Sequence, residues 1–139
     1  RGESSAVLGS LPPSDVARVQ SEADMLVHVE ATDLKNRLTV RHSFSTKLVD
    51  YMAAARPILA YGKADSASIR HLRDNAGAMV AESPDELYEK LTAVMHDGNA
   101  LRKLSLRAYL CGRMHHERTD IRDTLTRDLA ELMKSQNPE

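Results

Sequence analysis

The chain has no tryptophan and only five aromatic residues, Phe44 and four tyrosines. That is too few for the stacking platforms on which single-stranded nucleic acids lie. Nor is there an excess of either charge: 19 Lys and Arg stand against 20 Asp and Glu, a formal net charge of -1. Such a balance supplies no field that would draw nucleic acid or an anionic membrane as the main partner. A single cysteine, Cys111, excludes an internal disulfide and is the usage of a reducing compartment, so a cytoplasmic location is expected. No apolar run approaches the roughly 18 residues of a membrane helix. The start, Arg1-Gly2-Glu3-Ser4-Ser5, has no initiator Met and no apolar signal core, and reads as a tag scar or a cut inside a longer chain.

What is present is a chain of 139 residues, 42% hydrophobic and 28% charged, the size of one globular domain. Short apolar runs alternate with helix-period segments, the pattern of an α/β domain with a parallel sheet. The runs Ala6–Leu8, Met25–Val29, Pro57–Tyr61 and Ala78–Ala81 read as four strands, with Met25–Val29 apolar enough for a strand covered on both faces. Ser14 is expected to cap a helix over about residues 15–23. Residues 30–43 read as a long polar loop, and a helix starts at Ser45, carrying Leu48, Tyr51, Met52 and Ala55. Asp65 or Ser66 starts the next helix, which Asn75-Ala76-Gly77 ends. Ser83-Pro84-Asp85-Glu86 combines a cap, a first-turn proline and a Glu three residues on. Asn99 is read as capping a further helix, and a last one carries Ile121, Leu125, Leu129 and Leu132. The expected whole is one Rossmann-like domain over residues 1–139, ending in helices at about 99–135.

In doubly wound sheets ligands bind beyond the carboxyl ends of the strands. The segment from His42 to Asp50 lies there, joining the long loop to a helix start. Free N–H groups at a helix N-terminus favour an anion. Ser43, Ser45 and Thr46 are small hydroxyl donors, Lys47 adds a point charge, and the Asp50 carboxylate can accept two hydroxyls of a ribose. The plainer reading is that Ser45 and Thr46 cap the helix while Lys47 and Asp50 form a solvated face. Glu30, Arg37 and Arg41 lie on the ligand side of the sheet, and His28 reads as a hydrogen-bonded core or strand-end histidine. Cys111 and His115, one helical turn apart, are two ligands and do not make a metal site. His115-His116-Glu117 points in different directions on a helix and reads as solvated surface, as do Arg102, Lys103, Arg107 and Arg113.

The run from Phe44 to Ala60, Phe-Ser-Thr-Lys-Leu-Val-Asp-Tyr-Met-Ala-Ala-Ala-Arg-Pro-Ile-Leu-Ala, resembles the donor-binding signature of GT-B glycosyltransferases of family 4. That signature runs Phe-x-x-Lys-Leu-x-Glu-Tyr-Met-Ala-x-Gly-x-Pro-Val-Ile-Ala. Gly9 with the helix after Pro12, Ala23-Asp24 before a strand, Ala76-Gly77 before Val80, and Ser83–Leu87 agree in order, so the likeness covers about residues 6–110. It implies the nucleotide-sugar-binding, C-terminal half of a GT-B fold, truncated on its N-terminal side. It also implies that backbone N–H groups near Ser45 and Thr46, with Lys47, hold the donor pyrophosphate, and that Asp50 replaces the Glu that binds ribose. His42 stands where the family often has a second Glu touching the donor sugar, and Ala55 replaces the usual Gly. The expected donor-binding set is therefore His42, Ser43, Phe44, Ser45, Thr46, Lys47 and Asp50.

The activity implied is transfer of a sugar from a nucleoside-diphosphate sugar to a glycan or lipid-linked acceptor, in bacterial surface-glycan synthesis. No metal or other cofactor is implied. The acceptor would be held by an N-terminal domain outside this chain, and the full-length protein would sit in the cytoplasm or against the inner membrane face. Alternatives are a non-catalytic α/β module binding a nucleotide or a protein, and a fragment of a GT-B sugar-nucleotide epimerase. Self-association through an uncovered sheet edge is expected of the isolated chain.

Overall fold

Ile58-Leu59-Ala60-Tyr61 joins an apolar run to β-branched and aromatic residues and takes the middle of a parallel sheet, where both neighbours pair with it. The computed structural model describes residues 6–7, 9–31 and 33–136. In chain order the elements are α1 (Pro13–Glu22), β1 (Leu26–Val29), α2 (Leu34–Val40), α3 (Lys47–Ala53), β2 (Ile58–Tyr61), α4 (Ala67–Asp74), β3 (Met79–Ala81), α5 (Pro84–Val94), α6 (Gly98–His115) and α7 (Arg118–Gln136). The sheet order is β1-β2-β3, with Leu26 opposite Ile58 and Ala60 opposite Val80.

A sheet that steps in one direction through right-handed crossovers carries its connecting helices on one face. The core lies there. Leu48 and Met52 of α3, Ile58 and Ala60 of β2, Ile69 and Leu72 of α4, Val80 of β3, and Ala108 and Cys111 of α6 form one buried cluster. Each of the large members that is fully buried (Leu48, Met52, Ile58, Ile69, Leu72) contributes about 1.5–3 kcal/mol of transfer free energy. Two glycines let α6 approach: a Cβ on Gly112 would lie 2.8 Å from Met52 Cβ, and one on Gly77 would lie 2.7 Å from Cys111 Sγ.

Several expectations are corrected. Ala6 and Val7 form no strand, and Leu8 lies outside the described residues, so three strands are seen among them. Ala6 and Val7 have no ladder partner among the described residues to satisfy their backbone as a strand. The 30–43 segment holds a helix, α2, because the Asp33 carboxylate caps it by accepting from the Asn36 N–H at 3.0 Å. β1 is an edge strand with one open face: Leu26 and His28 are buried, whereas Val27 and Val29 are 52% and 63% exposed. α1 starts at Pro13 with Pro12 in the cap position and no side-chain cap, not at Ser14. α6 is capped by Asp97, which accepts from the N–H groups of Asn99 and Ala100, not by Asn99. The expected start of α5 stands: Ser83 Oγ accepts from the Glu86 N–H, and Glu86 reaches back to the Glu82 N–H at 2.8 Å.

The end of α3 explains one sequence departure. Ala55 has φ 52°, in the left-handed region, at the turn where the resembling family carries glycine. A Cβ in that conformation costs about 1–2 kcal/mol. Ala55→Gly is therefore expected to raise stability by up to about 1 kcal/mol despite the added freedom of the unfolded chain, read as a shift of the urea midpoint with unchanged m-value.

Candidate functional site

The carboxyl end of β1, the loop before α3 and the first turn of α3 enclose a cleft of about 340 Å³ lined by Val27, His28, Val29, Glu30, Ser43, Ser45, Lys47 and Tyr51. Lys47 and Tyr51 share one face of α3 because they stand four residues apart. Lys47 is exposed and has no ion-pair partner among the described residues. His28 and Glu30, two residues apart on an extended chain, point to the same side. His28 Nε2 lies 3.0 Å from Glu30 Oε1, and the two side chains are 8% and 12% exposed. The expectation of a hydrogen-bonded strand-end histidine is met, with Glu30 as its partner.

The loop is fixed from beneath. Ser68, fully buried in α4, accepts the Ser45 N–H at 3.0 Å and directs its own hydroxyl toward the Ser43 carbonyl at 3.5 Å. The Arg41 carbonyl accepts the Ala67 N–H at 2.9 Å, so the loop also closes the start of α4. Ser68 went unnoticed in the sequence, where it sits among other helix-start hydroxyls. Its contacts span 23 and 25 residues, and no local spacing announces them. Thr46 occupies the α3 cap position without a side-chain cap bond, while the Ser45 and Thr46 carbonyls accept from Leu48 and Val49. The plainer capping role for those hydroxyls is thus not formed, and the Ser45 N–H is already engaged.

The predicted set does not all meet in this cleft. Ser43, Ser45 and Lys47 line it, but Asp50 lines a separate groove between α1 and α3 with Leu11, Val16, Gln20, Ala53 and Ala54. Thr46 and His42 are exposed and line neither depression. Phe44 points the other way, into a cluster of imidazoles. It stacks on His116 with ring centroids 4.9 Å apart and meets His71 edge-on at 5.2 Å. His71 Nε2 lies 3.0 Å from His116 Nε2 and 3.6 Å from Cys111 Sγ. His116 is accordingly not solvated surface: it caps the end of α6 and is half-buried, while Glu117 pairs with Arg113 at 2.6 Å. Among the described residues no group of three or more His, Cys, Asp or Glu side chains is arranged to hold a metal ion. Arg41 is exposed, and the Arg37 side chain lies outside the described residues.

Burial pushes the His71 pKa below its ordinary value, and the neighbouring imidazoles of His116 and His115 add to that shift. Burial, then His115, lowers His116 in the same way. Burial raises the Cys111 thiol, which keeps it protonated and unreactive at neutral pH.

The family model described as glycosyl transferase-like matches the chain over residues 3–132. No curated protein and no solved structure matches it.

Two tests follow from the loop's supports. Ser68→Ala leaves the Ser45 N–H without its buried partner and is expected to cost about 1–3 kcal/mol in chemical denaturation. The histidine pair gives a pH dependence whose sign is fixed. Both folded-state pKa values lie below 6.5, so the unfolded chain binds more protons and stability falls as pH drops below about 6.5. Thermal unfolding from pH 7.5 to 5.5 is expected to show a falling Tm, with a shallower fall in His116→Gln.

Proposed function

Since this chain belongs to the glycosyl transferase-like family, whose model matches residues 3–132, we propose that it is the donor-binding domain of a glycosyltransferase of GT-B architecture. It would hold a nucleoside-diphosphate sugar while the sugar passes to a glycan or lipid-linked acceptor, as in bacterial surface-glycan synthesis. The observation that supports this most is the cleft at the carboxyl end of β1, where Lys47 stands beside Ser43 and Ser45. In open α/β sheets that end is the ligand side.

The chemistry asks little else of this domain. As the bond between the sugar and the diphosphate breaks, negative charge grows on the departing diphosphate. A lysine beside the departing diphosphate lowers the barrier by attracting the charge that develops there. Lys47 has no carboxylate partner among the described residues to compete for it, and the hydroxyls of Ser43 and Ser45 can donate to the remaining phosphate oxygens. The buried Ser68 holds both serines at fixed positions, which reduces the entropy lost when the ligand binds.

Titrating the chain with UDP, GDP, ADP and inorganic pyrophosphate, followed by backbone amide shifts, tests the reading. Shifts are expected at residues 43–47 and at the end of β1. A charge-assisted hydrogen bond is worth about 1.5–3 kcal/mol, so Lys47→Ala is expected to weaken both pyrophosphate and nucleoside diphosphates by about tenfold or more. Moving amides that cluster elsewhere, or equal binding by Lys47→Ala, would overturn it.

A further inference from the structure

The loop that lines the cleft is held at its centre by Phe44, whose ring rests on two imidazoles and stays out of the cleft. The hydrogen bonds around those imidazoles say where their protons are. The Asn75 side-chain amide donates to the His71 carbonyl at 3.0 Å and to His71 Nδ1 at 3.3 Å. Nδ1 is therefore an acceptor, and the proton of neutral His71 sits on Nε2. His116 Nε2, 3.0 Å away, accepts that proton, so the proton of His116 sits on Nδ1. One proton lies between the two Nε2 atoms, and a second has no acceptor there. A proton added to His116 sets two Nε2–H groups against each other. One added to His71 sets Nδ1–H against the Asn75 amide hydrogens, and turning that amide over would put its oxygen against the His71 carbonyl.

Little nearby offsets such a charge. On α4, Asp74 favours charged His71, but it is the weakest of the influences on that ring. On α6, His115 is a further imidazole, and burial keeps the Cys111 thiol protonated. Tyr109 and the Arg113–Glu117 ion pair adjoin His116, and α3 lines the same hollow with Val49, Met52 and Ala53. Among the described residues no carboxylate lies within ion-pair distance of either ring.

We propose that the His71–His116 contact is a proton-sensitive latch on the cleft. With both rings neutral it holds Phe44, and through Phe44 the Ser43–Ser45 backbone; a proton on either ring parts the two. Charged His116 is attracted to the face of the ring it stacks on, so Phe44 moves with His116 and leaves His71. The pull then falls on the hydrogen bond from the Ser45 N–H to Ser68, because Ser68 belongs to the helix that carries His71. Burial holds both rings below their ordinary pKa of 6.5 while the contact is made. The parted form therefore binds protons more tightly and gains population as pH falls below about 6.5.

Amide hydrogen exchange on the whole chain between pH 7.5 and 5.5 tests this. The protection factor of the Ser45 N–H is expected to fall by about tenfold or more. The Gly62 N–H, which donates to the Ala81 carbonyl at 3.0 Å within the sheet, is expected to lose much less. His116→Gln still offers His71 an acceptor but cannot take up a proton, and Phe44→Leu leaves both imidazoles titrating without the stack; each is expected to flatten the Ser45 profile. Should the variants fold poorly, nitrogen spectra of the parent imidazoles decide, with the proton expected on Nε2 of His71 and on Nδ1 of His116 at pH 7.5. Equal losses at Ser45 and Gly62, an unchanged slope in His116→Gln, or the opposite tautomers would overturn the latch. Pyrophosphate affinity supplies a second readout, which rests on the donor-binding reading above. The ratio of parent to His116→Gln affinity, in which the probe's own protonation cancels, is expected to fall with pH. A constant ratio while Ser45 opens means that the loop does not govern the cleft, and overturns the proposal. A parent that binds no pyrophosphate overturns the donor-binding reading alone, and exchange still decides the latch.

Discussion

A single buried hydroxyl decides where the candidate site can be. Ser68 sits in the first turn of α4, fully enclosed, and ties the Ser43–Ser45 backbone to that helix. An unpaired amide beneath the loop would cost as much as several surface contacts supply, so the loop stays wherever Ser68 is. Since α4 is itself anchored by Ile69 and Leu72 in the core, the register of the sheet passes directly to the residues lining the cleft. Phe44 supplies the second attachment, packing on His71 and His116 from α4 and the end of α6. Loop, helix and sheet edge therefore behave as one rigid corner, the condition under which a short polar segment can recognise a ligand.

Periodicity made much of the fold legible. The three paired strands, the capped start of α5 and the helix carrying Leu48 and Met52 follow from spacing and from caps that act locally. Where local reading failed, long-range partners were decisive. Ala6 and Val7 have the composition of a strand but no ladder. α2 was obscured by its polar residues, although Asp33 three residues before Asn36 is a helix-start signal of ordinary kind. The run Met25–Val29 looked doubly buried because four of its five residues are apolar. A pattern of that kind does not say whether a strand is central or at an edge.

The candidate cleft was legible in its position and less so in its lining. The rule for open sheets pointed to the corner of strand end, polar loop and helix start, and a cleft lies there, lined by Ser43, Ser45 and Lys47 of the expected residues. The pairing of His71 with His116 joins residues 45 positions apart, and Ser68 reaches back across more than twenty residues to the loop. No motif encodes such contacts. His28 and Glu30 are different: their two-residue spacing on a strand already places both on one side, and their polarity inside an apolar run is the signal.

Helical geometry then separates what the linear motif joins. Lys47 and Tyr51, at a spacing of four, face the β1 edge, whereas Asp50, Ala53 and Ala54 face α1. A motif written along the chain treats Lys47 and Asp50 as one constellation because three residues separate them. On a seven-residue helix an offset of that size turns a side chain by about 60° from the Lys47 direction, and here the ridge of α3 lies between the two depressions. Resemblance carries residue identity from one chain to another, but which wall of a helix a residue occupies depends on what packs beside it. In this protein α1 claims the Asp50 side and the open edge of β1 claims the Lys47 side. The carboxylate that shares a cleft with the lysine is consequently the one supplied by the strand.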